Sequence, residues 1–130
     1  MANNITRVTN AGTRVDVYAS AARTATPDTV ELEVGGHRGM HMVIDCTAAT
    51  GSPSVVFTVQ GVDRTSAKAY TIIASAAITG TGTTVLRVGP GLTAAANTVV
   101  NDLLPPIVRI TPVHTGSDSI TYSVGAAFCA

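Results

Sequence analysis

A chain of 130 residues with 45% hydrophobic side chains has the material for one domain that buries roughly two thirds of the surface its unfolded form exposes. Eight basic residues balance eight acidic ones with no run of either sign, so nothing matches a phosphate backbone or an anionic membrane, and neither is expected as a partner. Only 4% of residues are aromatic, Trp is absent and 12% are charged, a thin stock for catalysis that points first to structural work.

Met1 to Pro27 is polar and rich in Asn, Thr, Ala and Arg. Its start, MANNITRVTNAGTR, has no apolar run of the kind a secretory leader needs, and no leader is expected. Arg14-Val15-Asp16-Val17-Tyr18 alternates like a short strand or an extended arm, and ASAARTATP reads as a linker because Pro27 biases Thr26 toward extended geometry. The expected division is an N-terminal extended arm over 1–27 and a β-sandwich domain over 28–130. An edge strand with a loose connection is the alternative for the first segment.

The compact part opens with Val30, Leu32 and Val34 alternating with polar neighbours, and Gly35-Gly36 ends that strand. After a bend at His37 to Gly39, a second strand puts Met40, Met42 and Ile44 on one face and His41, Val43 and Asp45 on the other. Val55, Phe57 and Val59 share a face of the third, with Phe57 as the anchor of the core. Gly61 to Ser66 is a loop in which Asp63 or Ser66 can cap backbone donors. Tyr70 to Ala74 and Thr83 to Val88 are strands, separated by a loop with a short extended piece; Gly89-Pro90-Gly91 is a strong turn signal. Leu92 to Leu104 is expected to be irregular or to hold one helical turn. Ile107 to Thr111 and Ser119 to Val124 form the last pair, joined as a hairpin by PVHTGSDS, and Pro112 is placed at the end of its strand because it cannot donate to a ladder.

Seven strands of five to seven residues with turns between them predict an all-β fold, an antiparallel β-sandwich of jelly-roll or immunoglobulin-like connectivity. The expected core includes Phe57, Ile72, Leu86, Ile110 and Val124. No segment approaches about 18 uninterrupted apolar residues, so no membrane span is expected.

Chemistry finds little to use. Cys46 and Cys129 are too far apart for a CxxC motif and are expected to be free thiols, Cys46 as a buried small hydrophobe. His37 and His41 lie four apart among glycines that argue against a helix, about 13 Å apart if extended, too far to share a metal. They read as a loop histidine and a solvent-facing strand histidine. Asp45, Asp63, Asp102 and Asp118 are dispersed, and Asp118 in TGSDS lacks the alternating oxygen ligands of a Ca²⁺ loop. His114 has no GxSxG elbow to serve, and no GxGxxG occurs. No catalytic, cofactor-binding or metal-ligating residue is assigned, and no enzyme activity is expected. The polar strand positions Thr58, Gln60, Thr71, Thr83, Arg87, Arg109, Thr111, Thr121 and Ser123 instead give a broad surface of short side chains with scattered Arg, either a contact surface or a plain solvated sheet face. Such a surface loses little side-chain entropy when it is covered.

From Val55 to Val124 the chain resembles a family of small proteins encoded among the virion structural genes of tailed bacteriophages, especially those infecting actinobacteria. The resemblance rests on VQGVDRTSAKAYTIIASAAI, TTVLRVGPGL and DSITYSVGA. It implies a capsid decoration protein on the outer surface of the head, partnered by the major capsid protein and by copies of itself, with a trimer favoured. A tail or head-tail connector protein is the runner-up, followed by a carbohydrate-binding β-sandwich module, which would use exposed members of Tyr18, Tyr70 and Tyr122.

Overall fold

The computed structural model of the chain describes residues 4–7, as backbone, and residues 14–129. Ten strands are described: β1 (Asn4–Arg7), β2 (Arg14–Arg23), β3 (Val30–Glu33), β4 (Gly39–Ala49), β5 (Ser54–Asp63), β6 (Lys68–Ala74), β7 (Gly82–Gly89), β8 (Val99–Asn101), β9 (Ile107–Thr115) and β10 (Ile120–Cys129). They build two five-stranded sheets, ordered β1-β3-β9-β5-β6 and β2-β10-β4-β7-β8. Pairing is antiparallel except where β1 meets β3 and β8 meets β7. The fold is an all-β sandwich.

Strict alternation makes the core. Along β4 the side chains of Met40, Met42, Ile44 and Cys46 are buried while His41, Val43 and Asp45 face water; along β10 Ile120, Tyr122, Val124, Ala126 and Phe128 are buried. The first sheet answers with Leu32, Val55, Phe57, Val59, Val108 and Ile110. Phe57 and Tyr122 meet edge to face across the gap, their ring centroids 5.0 Å apart. With so few aromatics, this T-shaped pair at the centre of an aliphatic core contributes about 0.5–1.5 kcal/mol beyond its buried area.

Several expectations are corrected here. Arg14–Arg23 takes the edge-strand alternative: β2 pairs with β10, and a register shift turns the neighbouring side chains Val17 and Tyr18 both inward. Of the expected arm, residues 1–3 and 8–13 lie outside the described residues. β9 and β10 are not a hairpin. They lie in opposite sheets, and the turn around Gly116, φ 80°, carries the chain from one to the other. Pro112 sits inside β9 instead of at its end, opposite Phe57. Phe57 directs its own N–H and C=O toward Ser75, so this is a pair without ladder bonds on the β5 side. The proline nitrogen faces the other way, where β3 has already ended at its Val30–Ile110 partnership. A shift between Val59 and Gln60 buries Ile73 and leaves Ile72 only partly covered. β8, in the stretch expected to be irregular, forms where Val99 and Val100 join the edge of β7.

Candidate interaction surfaces

The densest group of reactive side chains lies inside the sandwich, where Tyr18 and Arg23 of β2, His114 of β9 and Tyr122 of β10 converge. The Arg23 guanidinium donates to the carbonyls of Ala19 and Tyr122 at 2.7 and 2.9 Å and lies 4.5 Å over the Tyr122 ring. Tyr18 donates its hydroxyl to the Asp28 carbonyl at 2.6 Å, with the Ile110 carbonyl at 3.2 Å as a second acceptor. The Tyr122 hydroxyl is 2.9 Å from Nε2 of His114, whose backbone N–H donates to the Thr26 hydroxyl. Burial pushes the Tyr122 phenol up to about 12, and Tyr18 is raised further, by burial first and the neighbouring Tyr122 second. Burial, then the Arg23 charge, holds His114 below the usual imidazole range. Both phenols stay protonated and the imidazole neutral, so each polar group is spent on a neighbour. The cluster ties the 24–29 connection across the open seam between the sheets and so acts as a fastening; a cleft of about 340 Å³ lies beside Tyr18, among Asp16, Ser20 and Ser123.

The remaining candidates scatter. His37 is buried with its ring edge-on to Phe128, centroids 5.6 Å apart, which corrects the plain loop histidine; His41 is exposed on β4. Asp63 accepts from the Ser66 hydroxyl and the Thr65 N–H, a local cap that lowers its carboxyl, the Ser66 bond first and the Thr65 bond second. Asp118 accepts from the Ser52 N–H at 2.8 Å and so joins the β9–β10 turn to the β4–β5 turn. Among the described residues no three His, Cys, Asp or Glu side chains gather as a metal site would need. Cys46 is buried and Cys129 exposed, both free. In the β4–β10 register Cys46 of β4 lies opposite Tyr122 and Cys129 of β10 lies opposite Gly39, which sets them too far apart along the strands for a disulfide.

What the strands present outward is more coherent. All nine polar positions named from sequence point away from the core, yet they do not share a face. Thr58, Gln60, Thr71, Arg109 and Thr111 lie on the outer face of the first sheet and Thr83, Arg87, Thr121 and Ser123 on that of the second. On the first, Arg109 reaches the buried Glu31 carboxylate directly opposite, at 2.8 and 3.0 Å, so this charge pair is internally neutralised. Around it stand Thr58, Thr111, Val56 and Val113, the last 42% exposed. On the second, the outward rows across β10, β4 and β7 read Ser123-Asp45-Thr83, Gly125-Val43-Val85 and Ala127-His41-Arg87. Sequence alternation gives the direction of each side chain but not the sheet that carries it.

Open clefts flank the second face. One of about 490 Å³ lies among Arg38, Met40, His41, Pro90, Leu92 and Cys129, and one of about 200 Å³ among Arg14, Val43 and Gly125. Tyr18 and Tyr122 are buried; Tyr70 is 52% exposed, its ring lying across Gly61 in the space a Cβ there would take. No protein-family model, curated protein or solved structure matches the chain.

Proposed function

We propose that the chain is a non-enzymatic structural component of a tailed-phage virion, a decoration protein bound to the outer surface of the head, with the major capsid protein and its own copies as partners. The observation that carries this reading is the pair of broad outer faces built of short, mostly uncharged side chains, Val56, Thr58, Thr111 and Val113 on one and Val43, Val85, Thr121 and Ser123 on the other. Faces of this kind lose little entropy and strand few charges when covered. The resemblance of Val55 to Val124 to phage virion proteins supports the same reading. Many weak contacts on a repeating lattice add to a durable whole.

The connectivity is read as a jelly roll. With β1 and β8 set aside, β2 pairs with β10, β3 with β9, β4 with β7 and β5 with β6, first with last and inward to one hairpin. That is one long antiparallel ribbon folded over itself, which favours the jelly roll over an immunoglobulin-like order. Viral capsid and lectin domains use such double sheets, although the fold alone assigns no function.

The test is to strip the protein from purified heads and add it back. Saturation at many copies spread over the shell, with greater resistance to heat, is the expected result. Saturation at a single ring of copies establishes the tail or connector alternative, and no rebinding to heads or tails rejects both.

A further inference from the structure

Along β4 the outward side chains run His41, Val43, Asp45, and all three are exposed, Val43 at 39%. Reversed end for end about Val43, this sequence of basic, apolar and acidic groups becomes its own complement. The neighbours extend the pattern. On β7 Arg87 stands beside His41, Val85 beside Val43 and Thr83 beside Asp45; on β10 the corresponding positions are Ala127, Gly125 and Ser123, small enough for another surface to approach closely. Among the described residues the side chains of His41 and Arg87 have no hydrogen-bond or ion-pair partner, and the Asp45 carboxylate accepts only from the Thr83 hydroxyl, at 3.3 Å. An arginine directly across from a histidine on one sheet face does nothing for the isolated fold.

We propose that the outer face of the second sheet pairs with the same face of a second copy about a two-fold axis that crosses β4 at Val43. In that arrangement the strands of the two copies run in opposite senses. Val43 and Val85 meet their counterparts at the axis, and His41 of each copy faces Asp45 of the other. Arg87 stands over Thr83 of the second copy, one strand spacing from the same Asp45. Each copy supplies both halves of the contact, as an isologous interface requires. An axis along the strands would instead set His41 against His41 and Asp45 against Asp45 at the centre of the face, two like-charge contacts, whereas the axis through Val43 sets only one charged group, Asp16 of β2, opposite Gly125 at the sheet edge, against its own counterpart. The face is large enough. Four of its strands are eight to eleven residues long, giving a flat projection of roughly 20 by 30 Å at the usual spacing and rise. Corrugation brings its accessible area close to the ~800 Å² that each partner contributes to a stable pair.

This pairing stands apart from shell binding and is tested without heads, so the two readings fail separately. The expected result of light scattering or sedimentation equilibrium on the isolated protein is a reversible species of twice the 13.2 kDa chain mass. Val43→Asp is expected to make it monomeric with its melting temperature nearly unchanged. His41→Asp and Asp45→Arg, each alone, should weaken the pair by at least about tenfold, because the two-fold axis removes the His41–Asp45 contact twice. Combined in one chain, the two changes restore opposite charges across the axis and should recover most of the affinity, a rescue that mere surface disturbance does not produce. A monomer at about 100 µM, above the micromolar range that faces of this size reach, overturns the proposal. A trimer, or a dimer indifferent to Val43→Asp and to the charge exchange, also overturns it.

Discussion

Protonating His114 sets a second cation near the Arg23 guanidinium, at a site where burial already disfavours charge. Because burial and Arg23 depress the folded value, the unfolded chain takes up this proton more readily than the native one. The associated stability is therefore complete above the unfolded imidazole value, about 6.5, and is lost as pH falls through the lower folded value. Urea unfolding at pH 7.5 and pH 5 should show the native protein weaker in acid, and His114→Gln should shrink that difference; an unchanged difference would place the acid sensitivity elsewhere. Phe57 has no exposed surface and packs edge-on to Tyr122, so Phe57→Ala is expected to cost about 3–5 kcal/mol of unfolding free energy. A measured loss under about 1 kcal/mol contradicts a close-packed centre. The thiols divide by exposure. A thiol reagent should modify Cys129 in the native protein and reach Cys46 only on unfolding, and a reductant should leave the melting temperature where it was.

β2 decides how much of the N-terminal segment belongs to the fold. It buries Val17 and Tyr18 and anchors Arg23 beneath the crossing segment, and those two side chains alone are worth about 1.5–3 kcal/mol each. Against a total stability of about 5–15 kcal/mol, their loss is severe. A chain that begins at Arg14 should keep a sharp thermal transition, whereas one that begins at Thr24 should lose it; a cooperative transition in the shorter chain means that β2 is dispensable. The interior faces of β4, β5, β7 and β10 were legible because apolar residues recur at period two, the signal a half-buried strand must give. β8 was not, since three residues supported from one side carry too little pattern to rise above a loop. The sheet change after Thr115 was also hidden: a turn of Gly, Ser and Asp between two strands has the same composition whether they pair side by side or face each other across a core. Pro112 was misplaced because its tolerance depends on β3 stopping short, a fact about another element. The surface residues fared likewise, each direction correct from alternation and their division between two opposite faces set by topology alone.

At the scale of the molecule, two outer faces invite two different contacts. The second sheet carries opposed basic and acidic rows about Val43, which suits a like partner; the first carries a neutral field around Val113 and Val56, with its one central charge, Arg109, already held by Glu31. If the self-complementary face is used between copies, the neutral one is left to meet the shell. Contacts made through it should be nearly indifferent to salt, because no unpaired charge at its centre is available for screening. Raising sodium chloride from about 0.1 to 0.5 M, which shortens the Debye length from about 10 to about 4 Å, should therefore change binding to stripped heads by less than roughly threefold. Val113→Glu places a charge in that field at an exposed position, where the fold itself tolerates substitution within about 0.5 kcal/mol. Burying the new carboxylate against the shell without a partner should weaken head binding by at least about tenfold while leaving self-association intact. Val43→Asp should do the reverse. Should Val113→Glu bind heads as tightly as the native chain and Val43→Asp fail to bind them, the faces exchange roles, and the second sheet becomes the one that meets the shell.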